Sequence, residues 1–175
     1  YLKSHNSFLS EISGNDSVWL GDIRKNGMKH FQNVGLPIER RGNEEWKYTD
    51  VRPISRINFD TPTEISAVDA NALTQITFGD SDWPCLIFLD GIYSEKLSKL
   101  SSLPSEIIVL NLPEAVSKYP DITKEHLSQH ADYDNNGFAA LNTAFINDGA
   151  FVYVKEKASL TEPLRLLFIS TNRVQ

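Results

Sequence analysis

Asp132-Tyr133-Asp134-Asn135-Asn136-Gly137 matches the first half of a calcium-binding loop. In such a loop, oxygen side chains at alternate positions converge on the ion and a glycine permits the sharp turn. The twelfth position here is Thr143, whose hydroxyl cannot replace the two oxygens of the usual glutamate. The competing reading is a polar turn in which Asn136 caps the next helix. His126 and His130 are four apart, a spacing that suits two zinc ligands on one helix face. Leu127 stands where the H-E-x-x-H pattern has glutamate, and no third ligand is evident, so both read as surface histidines. Cys85 has Trp83 and Pro84 before it and only apolar residues after it. A reactive thiolate wants a cation or a helix start beside it, so Cys85 reads as core packing. Glu44 and Glu45 adjoin Trp46 and Tyr48, which invites a sugar hydrolase with paired acids. Neighbouring helical residues point about 100° apart, however, and do not naturally face one bond. The physical alternative is a helix start anchored by Trp46. No phosphate-cradling glycine loop and no G-x-S-x-G is present.

These groups need elements to hold them. Asp16 or Ser17 can cap a helix in which Trp19, Leu20, Ile23, Phe31 and Val34 form an apolar stripe, with Arg24, Lys25, Lys29 and Gln32 between them. Gly35 is placed as its left-handed stop and Pro37 prevents continuation. Asn43 is placed to cap a third helix. Residues 51 to 81 read as an irregular connector with one short helix near Ser66 to Leu73. Cys85 to Leu89, an Asp90-Gly91 loop and Ile92-Tyr93 predict a β-hairpin. Ile107 to Leu110 predicts a strand. Helices follow over Pro113 to Tyr119 and Thr123 to Ala131, with Pro120 between them, and over Phe138 to Ile146, closed by Asp148-Gly149. Ala150 to Val154 and Leu164 to Ser170 are the last strands. Apolar residues on both of their faces predict that both faces are covered.

Composition narrows the function classes. Lys and Arg total 17 against 23 Asp and Glu, a net charge of −6. That balance argues against broad phosphate-driven nucleic-acid binding. One cysteine excludes an internal disulfide framework and a Cys-only zinc or iron–sulfur site within one copy. No apolar run approaches the ~20 residues of a membrane-spanning helix. The chain opens on Tyr1 with no leader after it, so a trimmed start is expected. A strand so near the last residue predicts the front part of a longer protein. Residue chemistry alone yields an acidic α+β chain in which no set of residues points to an active site.

Three blocks add a resemblance. Gly35-Leu36-Pro37, then Arg40-Arg41, then Glu45-Trp46-Lys47-Tyr48-Thr49 resembles the "GLP…R…EEWKYT" signature near the start of SufB/SufD family members, in the compact form of the SufD branch. Leu86 to Ser94, with Leu97-Ser98, is similar to the family's "vFvNGrfs…LS" hairpin. Phe138 to Gly149 is similar to its "F.aLNtA…dG" helix, with Phe151 to Val154 and Pro163-Leu164 after it.

The resemblance implies a fold and a role. The fold would be an N-terminal helical region (1–80), a mixed α/β segment with the hairpin (81–149), and the first strands of a truncated right-handed parallel β-helix (150–175). The role would be that of a non-enzymatic scaffold subunit of the SufBCD complex in iron–sulfur cluster assembly, in the cytoplasm. Partners would be SufB through the β-helix, the SufC ATPase through the C-terminal region, and sulfur-donor proteins, with neither nucleic acid nor membrane. The complex would handle a transient cluster and use ATP through SufC, with no cofactor in this chain. No catalytic, cofactor-binding or metal residue carries over. The calcium module at Asp132 to Gly137 is the alternative.

Overall fold

A computed structural model describes residues 1–12, 17–38, 44–57, 59, 68, 73, 82–100 and 103–171. In chain order its elements are α1 (Leu2–Ile12), α2 (Val18–Val34), a 3-10 turn (Glu44–Trp46), α3 (Arg52–Ser55), β1 (Cys85–Leu89), β2 (Ile92–Tyr93), β3 (Ile107–Asn111), α4 (Leu112–Lys118), α5 (Pro120–His126), α6 (Gly137–Ala144), β4 (Ala150–Val154) and β5 (Arg165–Ile169). They fall into two compact units that interleave in sequence. One comprises Tyr1–Thr61 with Pro120–Ile146, the other Pro62–Tyr119 with Asn147–Gln175.

The first unit is helical. Leu20, Arg24, Gly27, Met28 and Phe31 are the buried residues of α2. Their steps of four, three, one and three place them on one helix face. Met28 and Phe31 pack with Ala140 and Ala144 of α6, and Leu36, Tyr133 and Phe145 border that cluster. Two positions depart from the expected stripe. Val34 is exposed and Arg24 is buried. Arg24 tolerates burial because its Nε donates to the Ile146 carbonyl at 2.5 Å, and its guanidinium lies 5.5 Å from the centre of the Phe8 ring. Ser17 holds the cap position of α2 without a side-chain hydrogen bond; Asp16 and Asn43 lie outside the described residues.

Helix α1 docks through His5 and Phe8, both 2% exposed. The Phe145 ring lies 5.4 Å from His5 and 5.5 Å from Phe8. His5 Nε2 is buried without a hydrogen-bond partner. Desolvation depresses the imidazole pKa, a backbone hydrogen bond at Ala144 opposes this, and the Arg24 charge adds to the depression. With the folded-state pKa below the unfolded one, the unfolded chain binds the proton first. Stability is therefore complete above the ordinary histidine range and falls as pH drops through it. Chemical denaturation at pH 7 and pH 5 should show a larger loss for the native chain than for His5→Gln. Equal losses would remove His5 from the account.

The second unit holds the strands. Strand β1 is buried along its whole length, which explains its unbroken apolar run. Cys85, Ile87 and Leu89 pack with Leu73, Leu97, Leu167 and Ile169. Leu86 and Phe88 pack with Ile107 and Val109. The predicted hairpin forms, pairing Phe88 with Tyr93 and Leu89 with Ile92. Asp90 and Gly91 both have positive φ, 50° and 87°, as the twist-matched two-residue turn requires. Strand β5 pairs in parallel with β1, from Cys85 with Arg165 to Leu89 with Ile169. Strand β4 pairs antiparallel with β3. The sheets, β2-β1-β5 and β3-β4, form no closed barrel.

The last two strands are not covered on both faces as expected. Val152, Val154, Leu166 and Phe168 are exposed; being alternate residues they mark one face of each strand, which no layer covers among the described residues. The helices after β3 also shift. Asn111 caps α4 by accepting from the Glu114 N–H at 3.2 Å, and Pro120 opens α5 rather than separating two helices. Helix α5 ends at His126, and Ser128 then takes a left-handed conformation with φ 60°. The expected helix near Ser66 to Leu73 lies outside the described residues apart from Val68 and Leu73. No helix among the described residues is long and apolar enough to cross a membrane.

Candidate functional site

Two glycines place the site. The N–H of Gly35 closes α2 by donating to the Phe31 carbonyl at 2.7 Å. Its φ of 67° and ψ of −173° lie in a region open essentially to glycine alone. Gly137 begins α6, and a Cβ there would overlap the Gly35 carbonyl oxygen. Its glycine character thus serves a close backbone approach. The left-handed turn of a calcium loop is absent, since the positive-φ glycines among the described residues are Gly35 and Gly91.

A cavity of about 610 Å³ opens above this contact. Gly35, Leu36 and Pro37 form one wall, Glu44, Glu45 and Trp46 a second, and Asp132, Asn135, Asn136 and Gly137 a third. Trp46 is held against Phe138 of α6, with ring centres 5.0 Å apart. A second cleft of about 300 Å³ lies along Pro37, Ile38 and the run from Trp46 to Arg52. Trp46 borders both clefts, and Tyr48 is 93% exposed. Two motifs read separately in the sequence therefore share one cavity.

The geometry weighs on each reading of the residues. The Asn136 side-chain oxygen accepts from the N–H groups of Phe138 and Ala139 at 3.0 and 3.1 Å, so it caps α6. Asp132 accepts from the Asp134 N–H at 3.0 Å. Asp134 pairs with Nδ1 of His30 at 3.2 Å. Thr143 is buried and donates its hydroxyl to the Ala139 carbonyl at 2.9 Å. One side-chain oxygen each of Asp132, Asp134, Asn136 and Thr143 is thus engaged within the protein. No group of three or more His, Cys, Asp or Glu among the described residues is placed to hold a metal ion.

The paired-acid reading finds its cleft, with Glu44 and Glu45 along one wall. The Glu44 side chain is 82% exposed and lies 3.9 Å from the Lys47 ammonium. An acid that protonates a leaving group needs withdrawal from water, which this position does not provide. Cys85 is 4% exposed, and burial pushes its thiol pKa up despite the Arg165 charge. That environment suits packing and opposes thiolate chemistry.

Trp46 is only partly buried, less than a core anchor. Trp46→Ala should cost about 1–2 kcal/mol, below the ~3–5 of a fully buried tryptophan. Urea unfolding measures this directly, and a loss above the upper figure would restore the core role.

Residues 1–166 match the family model described as the SufBD protein N-terminal region. The chain belongs to the SufBD family. An iron–sulfur cluster assembly SufBD family protein of Synechocystis sp. is 27% identical over 159 residues, covering 91% of this chain and 34% of that protein. One from Pyrococcus horikoshii is 41% identical over 63 residues, 36% of this chain and 14% of its own length. The iron–sulfur cluster assembly protein SufB of Bacillus subtilis is 24% identical over 162 residues, 86% of this chain and 34% of that protein. The chain thus spans about a third of the length of the two relatives matched most broadly. Membership holds at the level of the SufBD family, above the division into SufB and SufD. In this SufBD chain the "GLP" and "EEWKYT" blocks and the start of the "F.aLNtA" helix meet around one cavity. What sequence reasoning missed was the Gly35–Gly137 contact; the available signal was a glycine at each of two helix ends.

Proposed function

We propose that this SufBD chain is SufD-like and serves as a non-enzymatic scaffold in the SufBCD complex of iron–sulfur cluster assembly, in the cytoplasm. SufB pairing through a β-helix, SufC binding through the C-terminal region and delivery of sulfur by donor proteins belong to this proposal. So does the handling of a transient cluster by the whole complex with ATP used at SufC. Family membership and the names of the relatives support the pathway. The observation that carries the scaffold reading is Tyr48, 93% exposed in the marker block. Tyr48 shares its cleft with Ile38, itself 48% exposed, so the block offers another protein more than a lone ring.

Co-purification of the full-length protein with SufB and SufC tests the reading. Both partners should be retained, and Tyr48→Ala should keep them while weakening capture of a sulfur donor. Failure to retain either partner would sink the proposal. The calcium module remains the alternative. Micromolar calcium binding by titration, lost in Asp134→Ala, would favour it over the scaffold.

A further inference from the structure

We propose that His126 and His130 form a two-histidine zinc site on the protein surface. Helix α5 ends at His126, and the left-handed Ser128, with φ 60°, turns the chain back. The Gln129 N–H donates to the His126 carbonyl at 3.2 Å, fixing that return. The imidazoles come to lie edge to edge, with ring centres 5.7 Å apart and planes 25° apart. Nδ1 of His126 and Nε2 of His130 are 3.4 Å apart. The pairing arises from the turn after the helix, since the chain has left α5 before His130.

That separation has a chemical meaning. Two zinc–nitrogen bonds of about 2.05 Å spanning 3.4 Å subtend about 112° at the metal, close to the tetrahedral angle. A right-angled octahedral or square arrangement would need nitrogens about 2.9 Å apart. The bite therefore suits a tetrahedral ion such as zinc. Both side chains are exposed, so an ion can reach them and small ring rotations can turn both lone pairs onto one point. The group displaced is the proton that one ring nitrogen holds toward the other. No third His, Cys, Asp or Glu completes a cluster among the described residues. Water fills the remaining positions, and the site is exchangeable in character, unlike a closed structural zinc centre.

Isothermal titration of zinc into the tag-free protein tests the proposal, with His126→Gln, His130→Gln and Asp132→Asn as variants. Their melting temperatures check that each is folded. One zinc per chain should bind, at least tenfold more weakly in either histidine variant and unchanged in Asp132→Asn. Absence of zinc binding below millimolar concentration would overturn the site, as would binding indifferent to both histidine substitutions.

Discussion

Replacing Gly27 with alanine should destabilise the helical unit by about 3 kcal/mol, at the upper end for overpacking. The added Cβ would lie 2.6 Å from the Ala144 nitrogen and 2.9 Å from the Thr143 carbonyl carbon. Both are backbone atoms of α6, so no side-chain rotation relieves the contact. Helices α2 and α6 must separate, and the cluster of Met28, Phe31, Ala140 and Ala144 loses its fit. A glycine inside a helix normally costs up to about 1 kcal/mol relative to alanine. The usual sign of the substitution is thus reversed here. Urea unfolding measures the change; a stabilised Gly27→Ala chain would mean that the two helices do not approach so closely.

The second large effect is expected at Asp148. Its carboxylate accepts from the N–H of Tyr93 at 2.8 Å, of Gly149 at 2.8 Å and of Leu112 at 3.3 Å. It therefore ties β2, the start of α4 and the entry to β4. In the sequence it stands where the helix over Phe138 to Ile146 is expected to close, but α6 stops at Ala144. Asp148→Ala leaves the Tyr93 and Gly149 amides without that acceptor, at about 2–4 kcal/mol. Leu112 loses less, because its N–H also donates to the Gly149 carbonyl at 2.8 Å. Burial raises the carboxyl pKa, and the three amide hydrogen bonds only partly oppose the rise. A raised folded-state pKa means that the folded chain takes up the proton first as pH falls. Between the unfolded and folded values, Asp148 titration adds stability on acidification, opposite in sign to His5. Thermal unfolding of Asp148→Ala and Asp148→Asn should show the alanine clearly worse. Equal midpoints would mean that the hydrogen bonds are not what matters.

Elements that depend on neighbouring residues were legible. The hairpin rests on Asp90-Gly91, where both residues must adopt positive φ, and the dipeptide announces that need. The Asn136 cap was legible for the same local reason. Arg24 and Gly27 were not. A charged residue and a glycine carry no apolar signal, and their burial depends on the Ile146 carbonyl and the α6 backbone. Gly137 was legible as a special position but suggested the wrong cause, because the atom that demands it belongs to Gly35. Both halves of the candidate site stood in the sequence as motifs. Their meeting around one cavity did not, since it depends on how α2 and α6 cross.

The interleaving of the two units also governs when each can form during synthesis. Arg24 meets the Ile146 carbonyl across 122 residues. At ribosomal rates of about 5–20 residues per second, that partner emerges roughly 6–24 seconds later. Throughout that interval the buried face of α2 has no α6 to cover it. The hairpin needs only its own few residues, whereas β1 waits for β5 and Asp90 for Thr171, 81 residues on. Both units thus mature late on the nascent chain, with apolar faces open meanwhile. Chaperone demand during translation should be high for a domain of this size.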